Sequence, residues 1–133
     1  FKSMKGLNSI MTGTAYPALW DLHYDANDES MHSMAEAYTR IYINTCLQNK
    51  VDVLLAIMEK GKVDGTIYHL NRSCKLMSFL NVETAEIIKE KNGLPYVSVD
   101  GDQTDPRVFS PAQFDTRVQA LVEMMEANMA AAE

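Results

Sequence analysis

The stretch "DGTIYHLNRSCK", residues 64–75, decides the fold. Gly65 to Leu70 is rich in residue types that strands bury, and it does not alternate cleanly between apolar and polar positions. A strand of that kind is buried on both faces, which is the habit of parallel sheets. It runs into a small polar loop, Asn71, Arg72, Ser73 and Cys74, and a helical pattern follows.

Further strands and helices alternate on either side. Upstream, "LNSIMT" (Leu7 to Thr12), closed by Gly13, reads as a short strand. "GTAYPALWDLHYDAND" carries Pro17 and three large rings, Tyr16, Trp20 and Tyr24, with no clean period; it predicts a loop with one helical turn. Glu29 to Lys60 is mostly helical. Met31, Met34, Ala35, Tyr38 and Tyr42 recur at helical steps, as do Leu47, Val51, Leu54, Leu55 and Met58. So long a run predicts a break near Ile43 to Thr45, and Gly61 ends the second helix.

Downstream, Val82 to Lys91 is the best-formed part of a helix that Asn81 caps and Asn92-Gly93 stops. "LPYVSVD" is the next strand, ending at Asp100. The last helix has the clearest start. Ser110 is its N-cap, Pro111 its first residue, Gln113 completes a capping box, and Phe109 and Phe114 form a hydrophobic staple. Phe114, Val118, Leu121, Val122, Met125 and Met129 then make one apolar stripe. This alternation predicts a three-layer α/β domain with a mainly parallel sheet of three or four strands and helices on both faces. In such sheets ligands bind beyond the carboxyl ends of the strands. "TGTAYPALWD", "HLNRSCK" and "DGDQTDPR" all fall there.

Composition narrows the function. The 133 residues are 47% apolar and 23% charged, which suits one domain with a real core. A net charge of −6 argues against nucleic acid as a partner. No apolar run approaches the roughly 20 residues of a membrane span, and no signal-like N-terminus is visible. Two cysteines are too few for a disulfide scaffold, and nine methionines fit a reducing cytoplasm. The chain starts at Phe1, and "FKSMKGLNSI" reads like the tail of a helix entering a strand. The expectation is a piece of a longer polypeptide, with an earlier domain missing.

Cys74 is the residue with the most chemistry to offer. It stands at or near a helix N-terminus with Arg72 and Lys75 beside it, a setting that favours a thiolate. A thiolate there is a nucleophile or a soft-metal ligand. His69, five residues back, is the available base; no CxxC or Cys/His cluster supplies further ligands. The plain alternative is a cysteine that merely begins a helix. Cys46 lies on an apolar stripe and is expected in the core. His23 and His32 stand among Asp21, Asp25 and Asp28, a solvated surface. The carboxylates of "DGDQTDPR" do not have calcium-loop spacing. Asp102 and Asp105 are expected to make turn bonds, with Arg107 paired to a neighbouring acid. No GxGxxG or P-loop is present.

"HLNRSCK" together with "VDGDQTDPRVFSPAQFDTRVQALVEMME" resembles the 2-hydroxyacyl-CoA dehydratase and benzoyl-CoA reductase family of radical iron–sulfur enzymes, and "TGTAYPALWDL" resembles that family's aromatic-rich loop more loosely. The likeness covers nearly the whole chain and is to the C-terminal Rossmann-like domain of one dehydratase subunit, residues 1–133 here. It implies a two-subunit enzyme, each subunit with two Rossmann-like domains and a [4Fe-4S] cluster between them. Cys74 matches the family's "NRSCK" cluster ligand; the other ligands belong to the preceding domain. Asn71, Arg72, Ser73 and Lys75 are implied to surround the cluster or substrate, and no catalytic residue is assigned. The implied reaction removes water from an (R)-2-hydroxyacyl-CoA through a ketyl radical, giving the (E)-2-enoyl-CoA. The implied partners are a second homologous subunit, an ATP-dependent iron–sulfur activator and the acyl-CoA substrate, in the cytoplasm. The isolated fragment is expected to be inactive. Two other readings stand beside this one. The first is a reductase of the same family, of the benzoyl-CoA or double-cluster type; the second is a non-enzymatic Rossmann-like module.

Overall fold

A computed structural model describes residues 4–20, 22–25 and 30–132. Asp21, Asp28 and Glu29, and the start of the supposed N-terminal helix tail, lie outside the described residues. The chain divides into two compact units, residues 12–61 and residues 4–11 with 62–132.

In the first unit the aromatic loop holds one 3₁₀ turn, Pro17–Trp20, as its lack of period predicts. Helix α1, Ser30–Thr39, ends where Thr39 Oγ1 donates back to the Glu36 carbonyl at 2.7 Å. The expected break is a 3₁₀ turn at Tyr42–Asn44. Helix α2, Leu47–Gly61, follows and buries Val51 and Met58 along its apolar stripe. Lys50 is buried with its ammonium 5.5 Å from the centre of the Tyr42 ring, a cation–π arrangement. Cys46 is not in the core. It is exposed just ahead of α2, where its carbonyl accepts the Lys50 N–H at 3.1 Å. The helical stripe begins one residue later, at Leu47.

The second unit is built on strands β1, Thr66–Asn71, and β2, Tyr96–Gly101. They pair in parallel, Thr66 opposite Tyr96 through Asn71 opposite Gly101. The crossover between them carries a short helix α3, Lys75–Ser78, and helix α4, Asn81–Asn92. Parallel neighbours require such a crossover. Gly93 ends α4 in the left-handed region at φ 72°, its N–H bonded to the Lys89 carbonyl at 2.8 Å. Asn81 does not cap α4. It is the first helical residue, and its side-chain amide donates to the His69 carbonyl at 3.2 Å, tying the helix to β1. Helix α5, Pro111–Ala132, starts as its sequence predicts: Ser110 Oγ accepts the Gln113 N–H at 3.4 Å, and the Phe109 and Phe114 rings lie 5.6 Å apart. Val118, Leu121 and Val122 are buried, whereas Met129 is 61% exposed, so the covered stripe stops short of it.

The expected strand at Leu7–Thr12 does not form, and the sheet has two strands among the described residues rather than three or four. Gly6 at φ 98° and Asn8 at φ 49° turn the chain out of the extended region on either side of Leu7, and Ile10 is 82% exposed. A ladder needs consecutive extended residues, and this segment does not supply them. No helix of the described residues is long and apolar enough to cross a membrane.

Gly65, just before β1, lies directly against side chains of α5. A Cβ built there stands 2.7 Å from Met125 Sδ and 3.0 Å from Leu121 Cδ1. Gly65→Ala is therefore predicted to destabilise the chain by about 1–3 kcal/mol, the usual cost of overpacking. Urea denaturation checks this, and an unchanged midpoint would refute the close approach.

Candidate functional site

The carboxyl ends of β1 and β2 meet because the strands are parallel and in register, and the loops leaving them share one edge. Asn71, the last residue of β1, is buried. Its carbonyl accepts the Cys74 N–H at 3.1 Å and the Ser78 hydroxyl at 2.7 Å, which closes a tight turn. Arg72 N–H donates to the Gly101 carbonyl at 3.0 Å, carrying the ladder one residue past the sheet. Cys74 is the half-buried residue that begins α3. It lies past the strand end, as the sequence predicts. With only four residues, α3 offers a weaker dipole than the expected helix would. Arg72 Nε lies 3.5 Å from Asp100 Oδ1, both side chains exposed, and Lys75 is exposed.

His69 is exposed and rests on Gly101: a Cβ there would collide with the imidazole Nε2. No hydrogen bond joins it to Cys74, so the nucleophile–base arrangement is not formed. His23 and His32 are exposed, as expected.

The loop after β2 is organised by two carboxylates. Asp102 Oδ1 accepts from Thr104 N at 2.8 Å, Thr104 Oγ1 at 2.8 Å, Asp105 N at 3.1 Å and Ser73 Oγ at 2.9 Å. Asp105 accepts from Arg107 N at 3.0 Å and grips its guanidinium at 2.8 and 2.7 Å. These are the turn bonds and the Arg107 pairing that the sequence predicts. Thr104's N–H and hydroxyl hold the Asp102 carboxyl well below the usual carboxylate range, with Ser73 and Asp105 adding to the effect. Asp105 is lowered chiefly by Arg107. Sequence reasoning missed the bond from Ser73, which depends on strand pairing.

Groups depressed in the folded state stabilise it fully above their unfolded value, about pH 3.9, and stop doing so as pH falls through the folded value. Asp102→Asn is predicted to lose stability less steeply than the wild type between about pH 4 and pH 2. Urea midpoints across that range check it, and parallel curves would refute it.

A cavity of about 200 Å³ adjoins the turn, lined by Leu70, Asn71, Arg72, Lys75, Ser78 and Phe79. Phe79 is 81% exposed at its rim and Leu76, nearby in sequence, 62%. A wider depression of about 390 Å³ in the 12–61 unit is lined by His23, Asp25, Ser33, Glu36 and Arg40, and there Arg40 is paired with Glu36. Among the described residues no group of three or more His, Cys, Asp or Glu side chains is placed to hold a metal ion.

Residues 6–125 match the family described as 2-hydroxyglutaryl-CoA dehydratase, D-component. The chain is 96% identical over all 133 of its residues to the lactoyl-CoA dehydratase alpha subunit of Anaerotignum propionicum, covering 32% of that protein. It is 47% identical over 125 residues, 94% of the chain, to the (R)-2-hydroxyisocaproyl-CoA dehydratase alpha subunit of Clostridioides difficile, covering 30% of it. Over 123 residues, 89% of the chain, it is 26% identical to one of the benzoyl-CoA reductase subunits of Thauera aromatica, covering 28% of it. The chain thus spans about a third of the length of the curated relatives it matches.

Proposed function

The chain belongs to the 2-hydroxyglutaryl-CoA dehydratase D-component family, and from that premise we propose that it forms one domain of the alpha subunit of a 2-hydroxyacyl-CoA dehydratase. The proposed reaction removes water from lactoyl-CoA to give propenoyl-CoA; the acyl group follows the near-identical relative. In the full-length subunit, further strands extend the two described here into a Rossmann-like three-layer domain. The second subunit, an ATP-dependent activator and the acyl-CoA are the proposed partners, in the cytoplasm.

Cys74 would give one thiolate to a [4Fe-4S] cluster. The fit rests on its half-buried place on the turn at the sheet's carboxyl edge. The chain's described residues cannot complete such a site by themselves, so the remaining ligands come from elsewhere in the full-length enzyme. The bound group would supply one-electron transfer, which solves the chemical difficulty. The β-hydrogen of the substrate is not acidic in the thioester, and it becomes so only after one electron has reduced the carbonyl to a ketyl radical and the hydroxyl has left. That radical expels the hydroxyl as hydroxide, the β-proton then leaves, the two make water, and the electron is returned.

Arg72 and Lys75 line the cavity beside the turn and are proposed to donate hydrogen bonds to cluster sulfur or substrate. Asn71 and Ser73 are proposed to hold the turn's shape. The observation that carries this reading is the family match together with the position of Cys74 on the turn.

The test is anaerobic assay of the full-length two-subunit enzyme with activator, ATP and a low-potential reductant. Propenoyl-CoA formation from lactoyl-CoA is the expected result. Reduction of benzoyl-CoA without dehydration would move the chain to the reductase branch, and a protein that binds no iron and turns over neither substrate would overturn the reading.

A further inference from the structure

Two loops that are far apart in sequence are fastened together beside Cys74. Ser73 and Asp102 are 29 residues apart, yet the Ser73 hydroxyl donates to Asp102 Oδ1 at 2.9 Å. The strand register makes this possible, since Asn71 opposite Gly101 brings the residues just after each into reach. The receiving carboxylate is itself immobilised, because the same oxygen accepts two backbone N–H groups and the Thr104 hydroxyl of its own loop. Ser73 is therefore tied to a rigid anchor.

The same hydroxyl also lies 3.2 Å from Asn71 Oδ1 inside the turn, so Asp102 at 2.9 Å is the shorter of its two acceptors, and the remaining restraints act at the ends of the turn. The Asn71 carbonyl holds Cys74 N–H and the Ser78 hydroxyl, and Arg72 N–H continues the ladder to Gly101. The Arg72–Asp100 ion pair is exposed at both partners and is screened by solvent. The Ser73 side chain is what pins the residue directly before the thiol to the neighbouring loop.

We propose that Asp102 is a positioning residue that, through Ser73, fixes where the turn presents the Cys74 thiol. This rests on the reading of Cys74 as a cluster ligand. Hydrogen-bonded partners that orient a metal ligand typically tune affinity or activity by about 10- to 100-fold. The prediction is that Ser73→Ala and Asp102→Ala each speed iron loss to a chelator by about tenfold and alter the cluster's electron paramagnetic resonance signal. The double variant should do no more than either single one. Asp102→Asn, which keeps the accepting oxygen, should stay near wild type. Thr104→Val, which removes only a bond within the Asp102 loop, should leave the signal unchanged.

The measurements use the full-length, cluster-loaded, two-subunit enzyme, with Cys74→Ala alongside. If Asp102→Ala fails to fold, Ser73→Ala still removes the bond without touching the Asp102 loop, and Asn71→Ala, which deletes the hydroxyl's other acceptor, is measured alongside: a change in Ser73→Ala alone supports the role of Asp102, and an equal change in both overturns it. Wild-type iron retention and spectrum in Ser73→Ala, with the cluster lost in Cys74→Ala, would overturn the positioning role and leave the ligand reading standing. Equal spectral change in Thr104→Val would also overturn it, since general loosening of the loop would then suffice. A full cluster in Cys74→Ala would remove the ligand reading and this inference with it.

Discussion

On the proposed function, the full-length, partner-bound enzyme carrying Cys74→Ala is expected to lose the iron held by this subunit and all dehydratase turnover while keeping its fold. Alanine cannot coordinate iron, and the turn is held by its backbone and by Asn71, Ser73 and Ser78 rather than by the thiol. The loss should therefore be chemical and not conformational. Circular dichroism and assembly with the second subunit should match wild type. Cys46→Ala is the comparison. Cys46 is exposed, so its replacement should change stability by no more than about 0.5 kcal/mol and leave iron and turnover intact. Wild-type iron content and turnover in Cys74→Ala would show a cysteine that only begins a helix.

The largest stability effect is expected at Ile88. It is 2% exposed in α4, the helix of the crossover between β1 and β2, and it ranks among the most buried side chains described. Ile88→Ala removes buried methyl and methylene groups and leaves a void, which typically costs about 2–5 kcal/mol. A loss of that size approaches a large share of a small domain's total stability. Val82 in the same helix is 49% exposed, so Val82→Ala should cost less than about 0.5 kcal/mol. Urea denaturation of both variants decides it. Similar midpoints for the two would mean that α4 is not packed as described.

What could be read in the sequence was mostly punctuation. Gly93, Ser110, Phe109 and Phe114 act on residues within one helical turn of themselves, so their effects follow from local chemistry. The parallel pairing of β1 with β2 followed from the helical segment between the strands, whereas the expected burial of β1 on both faces did not hold: Ile67 is 37% exposed and His69 is exposed, while Tyr68 and Asn71 are buried. Three other features depended on contacts that local pattern does not carry. Leu7–Thr12 has a strand-like composition, but Asn8 turns left-handed within it. Asn81 had a capping side chain, but its amide reached the His69 carbonyl on β1 instead. Cys46 stands next to an apolar stripe in the sequence, but the helix that carries the stripe starts one residue later. At the candidate site, the position of Cys74 past a strand was legible, because strand followed by loop followed by helix is a local order. The bond from Ser73 to Asp102 was not, because only the register of two strands brings those residues together.

The parallel pairing also gives the second unit two poles of different tolerance. Both strands leave toward the Cys74 turn and the Asp102 loop; at the opposite end Gly65 is packed against α5, whereas the turn before β2 is open. Gly93 lies there, exposed, with no atom within 4 Å of the place a side chain would begin. Six residues of β2 at about 3.3 Å each separate that turn from the Asp102 loop by roughly 20 Å. A fluorophore or an affinity tag inserted beside Gly93 would therefore report on the protein from the end opposite the proposed site, and surface loops of this kind are where insertions are best borne.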